Sequence, residues 1–232
     1  MSDSAGFSGR AVECAGHAAS VLKSQPGPST HSAYDEAVGS ATAPDLRIGS
    51  TSTRVTDFVN RGPAFDSVYL SPALLQACCL VIGGPFKLSS FHARTLRAGA
   101  PDQGLHVDVD RRSADWPLVG FILMIDEFRP DNGATRFVPG SHLRTDIPAG
   151  EIPEALVAST NQVAACGPAG SLIVFHGSTW HGHGTNMSSG PRRSLQGAYI
   201  PRAGRSGTDF AARMDPATRQ RLGPLAQHLL GL

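Results

Sequence analysis

The sequence predicts a mainly β protein, an antiparallel sandwich or barrel with helices on its flanks. Three observations carry this. Glycine (26 residues) and proline (17) are abundant for a chain of 232, and both residues make turns. Short apolar runs, each bounded by Gly, Pro, Asn or Asp, follow one another through the middle of the chain. Strands and helices do not alternate in the regular way that builds a parallel sheet. Hydrophobic residues make up 41%, enough for a real core, which excludes a wholly disordered chain.

Taken in order, residues 1–50 are rich in Ser, Ala, Gly and Pro and have little periodicity. They are expected to form a weakly ordered or partly helical N-terminal segment, with one domain over residues 51–232. Val68, Leu70, Leu74, Leu75, Cys78, Cys79 and Val81 recur at helical spacing, and Gly83-Gly84-Pro85 stops the helix. Strands are expected over residues 87–96, 104–109, 118–125, 135–138, 171–175 and 194–200. Residues 209–232 return to helical spacing and are expected to pack outside the strands.

The formal net charge is +1, from 20 basic and 19 acidic residues, with no long run of either sign. Nucleic acid is therefore not an expected partner. Cys14, Cys78, Cys79 and Cys166 show no disulfide spacing. The N-terminus has neither a basic start nor an apolar stretch. The longest apolar runs, such as residues 118–125, fall short of the ~20 residues that cross a bilayer. The expectation is a cytoplasmic setting, no membrane, and no obligate protein partner.

Chemistry concentrates in three places. In Gly104-Leu-His106-Val-Asp108-Val109, strand alternation puts His106 and Asp108 on one face. From there both can bind one metal, as two corners of a two-histidine, one-carboxylate set that leaves coordination sites open. A third ligand must come from elsewhere. An apolar strand from Gly170 runs into a glycine-rich turn holding His176, His181 and His183, and periodicity alone does not choose among them. Small residues there let backbone approach closely. In Pro191-Arg192-Arg193-Ser194, Arg192 and Ser194 face the same way, and an arginine fork beside a hydroxyl suits a carboxylate. Arg94 and Arg97 are three apart, so on a strand they face oppositely, and one of them could reach an acidic substrate group.

These stretches, with Gln103 before the His-x-Asp pair and Asn132-Gly-Ala-Thr135-Arg-Phe-Val-Pro139-Gly-Ser-His142 between them, resemble the phytanoyl-CoA dioxygenase family of iron(II)/2-oxoglutarate oxygenases. The order and spacing match over about residues 54–230. The resemblance implies a double-stranded β-helix (jelly roll, cupin-like) core with flanking helices. It places His106, Asp108 and His181 at the three iron-ligand positions and Arg192 at the arginine that grips the far carboxylate of 2-oxoglutarate. Ser194 completes an Arg-x-Ser pair, and Thr135 and Gln103 fall where the family often contacts the cosubstrate. The turn from Pro139 to His142 is expected to be structural, braced by His142. One departure is that Phe121 and aliphatics stand where the family often has a tryptophan.

By that resemblance the cofactors are Fe(II), 2-oxoglutarate and O2. The function is oxidation of a small molecule, most simply hydroxylation, coupled to decarboxylation of 2-oxoglutarate to succinate and CO2, in the manner of secondary-metabolite tailoring. Epimerisation, desaturation or oxidative ring closure use the same three ligands. Asp108 stands against halogenation, for which related enzymes carry a small residue at that position. A cupin-type metal or ligand binder without oxygen chemistry is the alternative from another class, but it has no reason to keep Arg192 and Ser194.

Overall fold

The computed structural model describes residues 12–13, 19–23, 28–144, 152–153, 157–158 and 160–232. Its strands are β1 (Val12–Glu13), β2 (Ala19–Lys23), β3 (Leu46–Ile48), β4 (Ser52–Val55), β5 (Phe86–Leu96), β6 (Val119–Met124), β7 (Thr135–Phe137), β8 (Val163–Ala164), β9 (Ser171–His176), β10 (His181–His183) and β11 (Arg192–Pro201). Among the described residues they form an eight-stranded sheet in the order β1-β2-β9-β6-β11-β5-β4-β3 and a three-stranded sheet in the order β10-β7-β8. Every ladder is antiparallel.

Alternation sorts the large sheet into two faces. Phe91, Ala93, Phe121, Leu123, Leu172, Val174, Leu195 and Tyr199 turn to one side and form the main core with the helices. Ile122, Met124, Ile173 and Phe175 turn to the other and meet Phe128, Ala134 and Phe137 of the small sheet and its approach. On β11 the pattern is strict: Arg192, Ser194 and Gln196 share the inner face, while Leu195 and Tyr199 join the helix side. Where β5 pairs with β11, a bulge opposes Ser90 to Ala198 but Leu88 to Tyr199, which leaves Ser89 as the extra residue.

The helices follow from local chemistry. α1 (Pro28–Gly39) lies against the large sheet, where the Tyr34 hydroxyl bonds the Thr95 hydroxyl at 3.0 Å and Asp35 pairs with Arg193 at 2.6 Å. α2 (Asp66–Tyr69) and α3 (Pro72–Ile82) are separated by a turn at Leu70–Ser71, and α3 ends at Gly83, whose φ of +68° is the left-handed cap that glycine adopts readily. Residues 63–82 correct one expectation: by length and composition this stretch is apolar enough to cross a bilayer. The fold breaks it into short helices and buries Phe65, Val68, Tyr69, Leu74 and Cys78 against the sheet. At the C-terminal end α4 (Phe210–Arg213), α5 (Pro216–Arg221) and α6 (Pro224–Leu230) pack on the same face through Phe210, Leu222, Ala226, Leu229 and Leu230.

The strands expected at 87–96, 118–125, 135–138, 171–175 and 194–200 are present within one or two residues of those bounds. Residues 104–109 are corrected: they make one isolated bridge, His106 to His181, and no strand. Within residues 1–50 the structure shows β1, β2, α1 and β3; Cys14, His17 and the remainder of that segment lie outside the described residues. β2 extends the large sheet by pairing with β9, and the β3–β4 hairpin straddles residue 50, where the sequence texture changes.

Phe58 is fully buried among Tyr34, Phe65 and Phe91. Phe58→Ala should cost ~3–5 kcal/mol of folding free energy, read as a lower urea midpoint with an unchanged slope; no loss would show that helix α1 and the aromatic cluster are not part of the cooperative core.

Candidate metal centre and its cavity

The centre is assembled by an irregular pairing of residues 103–108 with 177–183. The Gln103 amide donates to the His183 carbonyl at 2.9 Å, His106 and His181 exchange both backbone bonds at 3.0 Å, and the Asp108 amide donates to the Gly177 carbonyl at 2.9 Å. The register advances unevenly on the two sides, so no continuous ladder forms; this is why residues 104–109 are not a strand. Gly182 permits the approach. A Cβ there would lie 2.6 Å from the Gln103 carbonyl oxygen and 2.9 Å from that of Gly104, distances that a side chain cannot occupy. Ser141, in the 139–142 turn, supports the other side: it accepts from the Trp180 amide at 2.9 Å and donates to the Val138 carbonyl at 2.7 Å. The bracing expected of His142 thus comes from its neighbour, while the His142 ring lies 5.6 Å from that of His176.

His106, Asp108 and His181 offer ligand atoms that all lie within 4.8 Å of one another. His106 Nε2 is 3.8 Å from one Asp108 oxygen and His181 Nε2 is 3.6 Å from the other. Each ring is aimed by a carbonyl: His106 Nδ1 donates to Gly104 at 3.2 Å and His181 Nδ1 to Thr179 at 2.8 Å. Carbonyls only accept, so the protons sit on Nδ1 and both Nε2 lone pairs face inward, as metal ligation needs. Burial and the neighbouring His181 push the His106 pKa down, which keeps that ring neutral and ready to ligate. Phe137 stacks on His181 at 5.6 Å and Phe175 lies at 4.8 Å, fixing the ring in an apolar wall.

The cavity beside the triad has a volume of about 280 Å³, with Gln103, Thr135 and His183 in its wall. Gln103 Oε1 lies 3.5 Å from an Arg94 nitrogen. Arg94 itself lines the cavity, whereas Arg97 reaches the Ser50 carbonyl at 3.4 Å and is exposed. Arg192 and Ser194 are not in the cavity wall; they sit on the same strand face, four and two residues before Gln196, which is. Ser194 donates to the Arg94 carbonyl at 3.3 Å. Arg192 is 1% exposed, stacked 3.9 Å over the Phe128 ring, with Nε and one terminal nitrogen lacking any partner. Burial, and the charge of Arg94, push its pKa down to about 9. Arg193, one residue on, faces the other way and is held by Asp126 at 2.7 Å and Asp35 at 2.6 Å.

Sequence reasoning missed Arg54, His92 and Gln196, which also line the cavity. Their signal lay in the alternation of Leu46–Ile48 and Ser52–Val55 about the Gly49-Ser50-Thr51 turn, and in the inner-face positions of β5 and β11.

A family model described as phytanoyl-CoA dioxygenase (PhyH) matches residues 31–194. Among curated proteins, the dioxygenase trt7 of Aspergillus terreus is 30% identical over 198 residues, covering 79% of this chain and 66% of that protein. The chain spans about two thirds or less of the length of the curated relatives it matches. Among solved structures, EctD from S. alaskensis, with 2-oxoglutarate and 5-hydroxyectoine, superposes with a TM-score of 0.68 at 17% identity, covering 82% of this chain and 74% of that one. The non-heme alpha-ketoglutarate-dependent epimerase SnoN from nogalamycin biosynthesis gives 0.65 at 19%, covering 79% and 78%. Both share the cupin-type, double-stranded β-helix architecture expected for this sequence.

Gly182→Ala should displace the Gln103–Gly104 backbone and with it His106; the expected result is a large loss of divalent-metal affinity by calorimetry with the far-ultraviolet spectrum retained, and full affinity would refute the close-approach argument. A pH effect follows from His92 and His176, both pushed down to about 4 by burial. Unfolded, such rings titrate near ~6.5, so the folded state binds fewer protons. Their contribution to stability is complete above that value and is lost as pH falls toward 4. The urea midpoint should therefore drop between pH 7 and pH 5, and drop less in the His92→Gln/His176→Gln double variant.

Proposed function

The chain belongs to the phytanoyl-CoA dioxygenase family, and from that premise we propose that it is an iron(II)/2-oxoglutarate-dependent oxygenase that oxidises a small molecule. One observation carries the reading: three inward-facing ligands, His106, Asp108 and His181, lie within 4.8 Å of one another, and on the adjoining face stands Arg192, a buried cation with unpartnered nitrogens. A buried guanidinium without hydrogen bonds is costly and suits a bound carboxylate. 2-Oxoglutarate has one carboxylate for the arginine and a 2-oxo acid for the metal.

Iron bound to the triad would supply the oxygen-activating centre at which 2-oxoglutarate is oxidatively decarboxylated to succinate and CO2 while the substrate is oxidised. The chain's own residues bind and orient. The imidazoles of His106 and His181 and the carboxylate of Asp108 would hold the metal and leave further positions open to other ligands. Arg192, stiffened by the Phe128 ring and by its burial, neutralises the far carboxylate, and Ser194 lies beside it on the strand. Gln103 and Thr135, both in the cavity wall, are within the space the cosubstrate would occupy. Ile122 and Phe175 make part of the cavity wall apolar, which disfavours water on that side. Hydroxylation is the simplest outcome for this ligand set.

The test needs no substrate. Under anaerobic conditions, Fe(II) and then 2-oxoglutarate added to the protein should produce the weak visible charge-transfer band of a metal-bound 2-oxo acid, absent in His106→Ala. In Arg192→Ala the 2-oxoglutarate concentration needed for half the band should rise steeply, by the ~2–5 kcal/mol that removal of one partner of a buried charge pair costs. Metal binding without a band in the wild type would leave a cupin-type binder; an unchanged midpoint in Arg192→Ala would remove that residue from the cosubstrate site.

A further inference from the structure

Arg136 stands on β7 directly opposite Gly182 of β10, and it is neither a triad member nor part of the cavity wall. Opposed residues of an antiparallel pair project to one face. Gly182 offers no side chain there, so the Arg136 side chain can cross it to the chain segment beyond. One terminal nitrogen of Arg136 reaches an Asp102 oxygen at 3.1 Å, the Gln103 carbonyl at 3.2 Å and the His183 carbonyl at 3.5 Å.

These contacts hold the part of the metal centre that has the least support of its own. Residues 101–105 belong to no strand. His181 sits in β10, which is paired with β7, and its ring is stacked on Phe137. His106 has one isolated bridge. Its ring is aimed by the Gly104 carbonyl at 3.2 Å, against 2.8 Å for the bond from His181 to Thr179. That aiming carbonyl is one residue from the Gln103 carbonyl which Arg136 holds. If residues 102–104 were released, the Gly104 carbonyl could turn away and the Nε2 lone pair of His106 would lose its direction. The ion pair itself is a small matter for folding: the side chains of Arg136 and Asp102 are 28% and 55% exposed, and pairs so exposed add little stability.

We propose that Arg136 is a positioning residue for the metal centre. It pins residues 102–104, and through the Gly104 carbonyl it sets the orientation of His106. By the same anchoring it places the Gln103 side chain in the cavity wall. The inference rests on the reading of His106, Asp108 and His181 as the metal ligands. Arginine suits the task because its planar fork delivers N–H groups in fixed directions, whereas lysine is a flexible point charge.

The experiment uses the full chain loaded with Co(II), without substrate. Both ligating imidazoles keep a proton on Nδ1, so the proton NMR spectrum should show two exchangeable resonances displaced far from the ordinary range by the paramagnetic ion. One of them should vanish in His106→Ala. In Arg136→Met the His106 resonance should move or broaden through exchange with water while that of His181 stays, and Co(II) affinity should fall roughly tenfold or more. In the His106→Ala background the same substitution should cost nothing further. Arg136→Lys keeps the charge but loses the fork; it should disturb the same resonance, and it keeps the test decisive if Arg136→Met does not fold. The proposal is overturned if the His106 resonance is undisturbed, if both resonances move alike, if Co(II) affinity is retained, or if Arg136→Met weakens Co(II) as much without His106 as with it. A wild-type protein that shows no such pair of resonances, or in which His106→Ala removes neither, overturns the ligand reading as well.

Discussion

The amide and carbonyl of His106 and those of His181 exchange hydrogen bonds at 3.0 Å, and this bridge sets the distance between two rings that local structure alone would leave unrelated. Seventy-four residues of chain lie between them. Each ring is then aimed by a carbonyl two residues away, so the geometry of the ligand set is a backbone property more than a side-chain one. Because β10 is itself paired with β7, the second histidine is anchored to the small sheet. The arginines belong to the large sheet. A ligand bound between metal and arginine would join the two sheets across their gap, so loading should stiffen the molecule as a whole.

Arg192 and Arg193 show how strongly strand alternation decides the fate of identical side chains. Arg193 points to α1 and is saturated by Asp126 and Asp35. Arg192 points inward, is more deeply buried, and has no acid of its own. Desolvating a cation without a partner lowers stability, and Phe128 at 3.9 Å offsets only part of this. Arg192 therefore carries a standing electrostatic penalty that an anionic ligand would relieve, whereas Arg193 is neutralised within the fold.

The parts of the fold legible in the sequence were those governed by neighbours along the chain. Strands β5, β6, β9 and β11 carry alternation or continuous apolar character, and the common face of Arg192 and Ser194 follows from their spacing of two. Residues 104–109 read as a strand for the same reason, but their partner advances in a different rhythm and Gly182 lets the backbones close in, neither of which the local pattern contains. The three histidines between 176 and 183 were not separable by periodicity; in the structure His176 turns toward His142, His183 lines the cavity, and only His181 meets Asp108. Arg94 stood out in the sequence beside Arg97, and the structure puts Arg94 in the cavity wall and Arg97 outside it; the register of Arg94 with Arg54 and of Arg54 with Arg47 was not legible, because pairing between distant segments decides it.

The bulge on β5 gives that strand two phases. Beyond it, toward Leu96, residues of even number face the cavity; before it, the parity is reversed, and Ser89 and Ser90 both lie along the wall. A one-residue insertion or deletion at the bulge would exchange the faces of residues 86–88 while leaving His92 and Arg94 in step with β11. The strand thus works as two separately adjustable segments: one end of the cavity can change its shape and polarity over generations of sequence drift while the arginine end keeps its register.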